Sequence, residues 1–175
     1  MLLERFRVIH NLQIKLAYPT CIGNSPYLME DITALPRLKI LTLFLHNEGH
    51  AFGASLFHVL RMCTRLRGLS LVLHTHSDLE AQSACPSDCV CDQPINWKAK
   101  ELTLKRLQEV VIIDMKGTDH EVAFVKRLFS WAVKLRRMRV VYHSVAVSKA
   151  KEVHQKLLRL AMPETHVTLE EYPCE

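Results

Sequence analysis

The sequence predicts an α/β fold, a leucine-rich-repeat-like solenoid with parallel strands on one face and helices on the other. The main observation is a repeated apolar spacing, Leu-x-x-Leu-x-x-Leu-x-Leu-x-Leu, with clear copies around Leu38 and Leu66. Two further copies, around Leu107 and Leu135, are separated by the same interval. That interval, about 28 residues, is typical of leucine-rich repeats, in which each unit is a strand followed by a helix and buries its apolar face only by stacking on its neighbours.

Two departures from this period complete the strand assignment. A weaker copy opens the chain around Ile9, one residue out of step with the copy around Leu38, and should form the first strand. The interval from Leu66 to Leu107 is longer than the period, so an insertion interrupts the array between them. A closing edge strand is expected at 167–169. We therefore divide the chain into a repeat region at 1–80, a cysteine-containing insertion at 81–100 and a region at 101–175 that continues the array.

After each strand frame the apolar spacing changes from two to about 3.6 residues, which indicates a strand–loop–helix unit. Helices are predicted at 27–32, 51–63, 118–134 and 148–161, the first of them short. The third has the clearest start. There Thr118 and Glu121 follow Gly117 at the spacing of a capping box, in which each residue bonds the backbone of the other.

The composition fits one domain, because 175 residues with 49% hydrophobic content can build a continuous core. The longest apolar runs are far shorter than the about 20 residues needed to cross a bilayer. The first residues offer no small-residue cleavage site, so no secretory signal is predicted and the expected location is intracellular, cytoplasmic or nuclear. There the six cysteines are expected to be reduced thiols, with Cys63 a core residue.

Strand alternation places a second set of side chains on the face opposite the core. Leu43 and Leu45 point into the stack, so Phe44 between them points to the other side. Stacked repeats turn that position into a stripe of candidate binding residues, preceded by Lys15 in the first repeat: Phe44, Val72, Ile113 and Val141. An apolar stripe on the inner surface of a solenoid often binds a partner. The alternative is that the insertion between Leu73 and Lys98, or a missing segment, covers the stripe.

Histidines and cysteines are the residues to consider as metal ligands. His46 and His74 should lie on adjacent strands, about 4.8 Å apart, although such histidines are more often polar strand ends. The insertion contains Cys85, Cys89 and Cys91, of which the first two have the spacing of a zinc-binding pair. No separate second pair exists, and a local disulfide or a simple turn explains the segment with less. We therefore predict no metal and no cofactor.

The chain carries none of the common enzyme signatures: no Gly-rich phosphate loop, no Gly-x-Ser-x-Gly and no His-Glu-x-x-His. Its net charge of +5 comes from basic residues dispersed along the sequence. Aromatic residues do not alternate with them, as a stacking platform for single-stranded nucleic acid requires. We expect a non-catalytic protein that binds neither nucleic acid nor membrane.

The segment at 107–138, LQEVVIIDMKGTDHEVAFVKRLFSWAVKLRRM, resembles the FBD domain of plant F-box/leucine-rich-repeat proteins. The segments at 35–43 and 52–63 are similar to the repeat region of the grass members of this family. The insertion, with Cys-Asp-Gln-Pro from Cys91 and Asn-Trp ending at Trp97, is similar to theirs as well. The resemblance implies that the region at 101–175 is an FBD-like domain that continues the repeat array.

This resemblance implies the substrate-recruiting arm of a cullin-based, SCF-type ubiquitin ligase, whose F-box docks a Skp-type adaptor while its repeats hold a target. The chain begins in a repeat frame at Phe6 without an F-box, so it is not expected to bind the adaptor by itself. Its first repeat lacks a polar capping unit, so an apolar edge should be exposed at Leu12, Ile14 and Leu16. The alternatives are a truncated or remnant repeat domain without a partner and, less favoured, a metal-binding module at 85–91. The sequence does not identify the target.

Overall fold

The computed structural model describes residues 8–18, 31–74, 97–142 and 147–171. Within these ranges the strands are β1 (Val8–Ala17), β2 (Arg37–His46), β3 (Gly68–His74), β4 (Glu109–Ile113), β5 (Arg137–Tyr142) and β6 (His166–Glu171). The helices are α1 (Gly53–Met62), α2 (Asp119–Trp131) and α3 (Val147–Leu160). The cysteines Cys85, Cys89 and Cys91, and most of the short helix expected at 27–32, lie outside the described residues.

The six strands form one sheet in which every strand pairs in parallel with the next along the chain. Equivalent positions of the repeat lie side by side: Leu41 pairs with Leu12 on one side and with Leu69 on the other. The register continues through Val110 and Met138, across the longer interval between β3 and β4. The predicted α/β class and parallel strand arrangement are thereby confirmed, as is the closing edge strand, which is β6.

Helices connect three pairs of neighbouring strands, because parallel pairing requires a crossover. Helix α1 joins β2 to β3, α2 joins β4 to β5, and α3 joins β5 to β6. Helices α1 and α3 begin and end within two residues of the bounds predicted for them, 51–63 and 148–161. The prediction for α2 was wrong at its end, since the helix stops at Trp131 and not near Lys134. Ala132 leaves the helical conformation (φ −98°, ψ 67°), and the turn that follows lets Leu135 enter the core.

The core lies between the helices and one face of the sheet. Leu41, Leu43 and Leu45 of β2 are at most 1% exposed, whereas Phe44 between them is partly exposed. The buried side of α1, including Leu56 with 0% exposure, belongs to the same cluster of buried residues, which extends from β1 to β6. Burial of this apolar surface is the main term that favours folding.

Trp97, the first residue of the described range 97–142, packs into the core. Its side chain is fully buried, and its ring lies 5.9 Å from that of Phe124 and 6.4 Å from that of Trp131. On its other side it lies against Gly53, where a Cβ atom would collide with the indole. No spacing in the sequence predicted this contact, which fixes how closely Trp97 approaches α1.

The predicted start of α2 is confirmed in both of its hydrogen bonds. The Thr118 hydroxyl accepts from the Glu121 N–H (3.3 Å), and the Glu121 carboxylate accepts from the Thr118 N–H (2.9 Å). Gly117 precedes them with a φ of +76°, a conformation that favours glycine. His120 ties this helix to α1, because its Nε2 accepts from the backbone N–H groups of Phe52 (3.1 Å) and Gly53 (3.3 Å).

The edge at β1 is less exposed than expected. Leu12 and Ile14 are partly exposed, but Leu16 is buried together with Tyr18. Tyr18 donates from its backbone to the His46 carbonyl (2.8 Å) and from its hydroxyl to Ser55 (2.6 Å), which closes this end of the core. No helix in the described ranges has the length and apolar character needed to cross a membrane.

Candidate binding surface on the outer face of the sheet

The predicted binding residues form one row on the sheet face opposite the helices, which we call the outer face of the sheet. It is the face that the sequence predicts to be the inner surface of a solenoid. Phe44 pairs with Val72, Val72 with Ile113, and Ile113 with Val141. We call these four residues the apolar stripe. It spans three strand spacings of about 4.8 Å, or roughly 14 Å. The structure therefore places all four side chains next to one another, as the repeat period predicts.

Charged residues close the stripe at both ends. Lys15 of β1 pairs with Phe44, and Glu170 of β6 pairs with Val141. Lys15 is exposed, whereas Glu170 accepts from Arg139 of the neighbouring strand at 3.1 Å. An apolar row with a cation at one end and a bonded ion pair at the other has a defined polarity, which is useful for orienting a partner.

The stripe is not uniformly exposed. Phe44, Ile113 and Val141 are partly exposed, while Val72 in the second position is only 9% exposed. Contact by a partner would therefore involve chiefly the first, third and fourth residues. Val72 contributes to the continuity of the row more than to its accessible area.

Polar and aromatic groups border the stripe where it crosses β2 and β3. On the side towards the strand starts, the preceding row contains Thr42 and Ser70. On the side towards the strand ends, His46 and His74 pair in register, and their rings stack with centroids 4.6 Å apart. The His74 ring also lies 6.3 Å from that of Phe44. The predicted neighbourhood of the two histidines is confirmed, and they join the stripe instead of standing apart from it.

A hollow of about 310 Å³, which we call the Gly68 hollow, lies nearer the strand starts on the same face. It forms because Gly68 has no side chain between Ile40 on β2 and Glu109 on β4, its partners on the two neighbouring strands. Ile40 is 46% exposed and Val111 lines the same hollow. Reasoning from the sequence missed this feature. The available signal was a glycine at a strand position where the other repeats carry a side chain.

Two described side chains have a clearly shifted pKa, and both belong to the core side of the protein. Burial raises the pKa of the Cys63 thiol to about 12. Burial also raises the pKa of Glu121, against the opposing effect of its hydrogen bonds at the start of α2. Within the described ranges, no three histidine, cysteine or acidic side chains are grouped as a metal site would need. The chemistry available on the outer face is thus apolar contact, aromatic stacking and ion pairing.

Comparison of the chain with protein-family models, with curated proteins and with solved structures found no match.

Proposed function

We propose that this protein is a non-catalytic interaction scaffold of the leucine-rich-repeat type, a solenoid whose outer sheet face binds a protein partner. The observation that carries the proposal is the apolar stripe, formed by Phe44, Val72, Ile113 and Val141 in register on four adjacent strands. An apolar surface row that is bordered by polar groups often marks a site of interaction.

The sequential parallel order of the strands supports the solenoid part of the proposal. Each unit contributes one strand, and each strand pairs only with its neighbours in the chain. This arrangement presents one equivalent side chain per repeat, so a single partner segment can cross several strands and contact each in turn. The ion pairs Arg139–Glu170 (3.1 Å) and Arg137–Glu109 (3.4 Å) add a polar border over β4 to β6.

The resemblance to F-box/leucine-rich-repeat proteins suggests the biological setting. In that setting the scaffold corresponds to the arm of an SCF-type ubiquitin ligase that holds the target, and it acts inside the cell. The target would occupy the apolar stripe, since that is where equivalent positions of several repeats converge. In that family the Skp-type adaptor binds the F-box and not the repeats, so the proposal concerns target binding alone.

The test compares the proteins retained by the purified chain with those retained by a double variant, Phe44→Asp with Val141→Asp. Both side chains are partly exposed, so the substitutions leave the core intact while they place two charges on the stripe. We expect a partner that binds the original chain to bind the double variant at least about tenfold more weakly, since desolvating an unpaired charge at an interface costs more than about 1.4 kcal/mol. Titration of the purified partner gives the two dissociation constants.

The control is Leu158→Asp, which places a single aspartate away from the stripe, at an apolar residue that is 50% exposed on α3. Partner binding should survive this change. Equal loss with Leu158→Asp and with the stripe variant would contradict the proposal, as would the absence of any specific partner. The latter result would favour a remnant repeat domain.

A further inference from the structure

We propose a second binding site, for a compact polyphosphate, where the strands begin. A hollow of about 120 Å³ at this end of the sheet is lined by one leucine and five cationic side chains: Arg37, Leu38, Lys39, Arg65, Arg67 and Arg106. We call it the basic hollow. It is distinct from the apolar stripe, which lies further along the same strands.

The repeat itself builds the basic hollow. Leu38, Leu66 and Leu107 hold the same position in successive repeats, and each is preceded by an arginine. The residue after the leucine is Lys39 in one repeat and Arg67 in the next. Backbone bonds join these positions directly, since the Arg67 N–H donates to the Lys39 carbonyl (2.7 Å) and the Gln108 N–H to the Arg67 carbonyl (2.9 Å). Cations from three repeats are thereby held at successive strand spacings of about 4.8 Å.

Acidic partners are missing around the basic hollow in the part of the chain that the structure describes. No carboxylate from these residues lines it, and the carboxylate of the neighbouring Gly68 hollow, Glu109, pairs with Arg137 at 3.4 Å. Among the described residues, the arginines that form ion pairs are Arg127, Arg137 and Arg139. None of these three lines the basic hollow. Five like charges around one concavity repel one another, and a bound polyanion would relieve this repulsion.

The arginine-rich composition suits an anion that carries several oxygen acceptors. Four of the five cations are arginines, whose planar guanidinium groups bind phosphate oxygens through paired hydrogen bonds. All five are exposed, so they can turn towards a ligand from the rim, while Leu38 beneath them is 1% exposed and fixed in the core. The cations extend over three strands, which suits several closely spaced phosphate groups better than one. No aromatic ring of the described residues lines the hollow to stack a nucleotide base.

The test uses inorganic tripolyphosphate as the probe, titrated calorimetrically into the whole chain. We expect one site per chain, binding that weakens as salt is raised, and tighter binding than that of monophosphate or of citrate. The variant Arg65→Gln with Arg106→Gln should bind at least about tenfold more weakly, because each lost charge-assisted bond is worth a factor of about ten. Lys156→Gln with Arg159→Gln is the control, as it removes the same charge from exposed positions on α3 and should bind normally.

Thermal unfolding of each variant checks that the substitutions leave the fold unchanged. Vesicles containing phosphatidic acid determine the source of the phosphate groups. Vesicle binding that tripolyphosphate displaces supports the site and assigns it to a lipid surface, whereas tripolyphosphate binding without vesicle binding assigns it to a free ligand. Equal affinity for citrate, equal weakening in the α3 control, or no tripolyphosphate binding would overturn the proposal.

Discussion

Cys63 follows the last residue of α1 and packs as a small apolar group. It is 3% exposed, and its thiol donates to the Val59 carbonyl at 3.3 Å. Burial raises its pKa to about 12, because the thiolate would lose its solvation. The thiolate is the reactive form, so this cysteine should be inert in the folded protein.

We therefore expect Cys63 to resist iodoacetamide at about pH 8, where only on the order of one thiol in ten thousand is ionised, and to react once the protein is unfolded. Peptide mapping by mass spectrometry measures the modification before and after addition of denaturant. Complete modification of Cys63 under native conditions, at the rate seen in denaturant, would contradict the burial on which the prediction depends.

Glu121 presents a competition between burial and hydrogen bonding. Burial raises the pKa of its carboxyl, whereas the backbone N–H groups and the Thr118 hydroxyl at the start of α2 lower it, and burial dominates. The folded protein thus holds this proton more tightly than the unfolded chain does. The contribution of Glu121 to stability is therefore largest at low pH and declines as the pH rises from the unfolded-state pKa through the folded-state pKa.

The substitution Glu121→Gln should remove this decline, because glutamine cannot ionise but keeps an oxygen that accepts from the Thr118 N–H. Urea unfolding at several values from about pH 4 to about pH 7 gives the free energy of unfolding of both proteins. We expect the original chain to lose stability relative to the variant across this range. If the original chain instead gained stability relative to the variant as the pH rises, the hydrogen bonds, and not burial, would dominate the pKa of the Glu121 carboxyl.

At the scale of single elements, two glycines have opposite roles. Gly53 begins α1 directly against the Trp97 indole, where any Cβ atom must displace the ring. Gly68 begins β3 and lines the hollow named after it. A Cβ atom at this position would meet Ile40 at 3.8 Å, an ordinary contact distance. The same substitution therefore tests whether close packing or conformational freedom explains each glycine.

We expect Gly53→Ala to destabilise the protein by about 1–3 kcal/mol, the usual cost of overpacking a core. Gly68→Ala should be neutral or stabilise it by up to about 1 kcal/mol, because alanine loses less backbone freedom in a strand. Denaturant unfolding of the two variants gives both values. Equal losses would show that Trp97 does not lie against α1 as described.

At the scale of the whole molecule, the sheet is a series of interfaces between neighbouring repeats. The buried row at its centre runs through Ile14, Leu43, Leu71 and Ile112, one residue from each of four strands. Leu71 has a partner on both sides and is 1% exposed, whereas Ile14 lies on the edge strand and is partly exposed. In such a series, the contribution of a residue to the free energy of unfolding depends on how many interfaces between repeats it contacts.

Leu71→Ala should therefore cost about 2–5 kcal/mol, and Ile14→Ala distinctly less, although both remove an aliphatic side chain from the same row. The midpoints of urea unfolding measure the difference, provided that the slopes of the two transitions agree. A larger loss at Ile14 than at Leu71 would contradict the order of the strands.

The period of the repeat explains which features could be predicted from the sequence. Leucines that recur at a constant interval predicted the parallel sheet, the core positions and the apolar stripe, since parallel pairing repeats the same register at every strand. The capping box of Thr118 and Glu121 was predictable for another reason, because it depends on residues three apart. The end of α2 was not predictable from spacing. The helix stops at Trp131 so that Leu135, which follows it, can reach the core.

The sequence by itself determined the pairing of residues within the sheet, because backbone hydrogen bonds between strands repeat with the chain. Only the tertiary structure showed the contacts that do not repeat: Trp97 against Gly53, and His120 at the start of α1, 67 residues from Gly53. It also showed the basic hollow, whose arginines are ordinary surface residues when each is considered in its own repeat. Such features depend on how far side chains of different elements reach towards one another, and no spacing along the chain reports that distance.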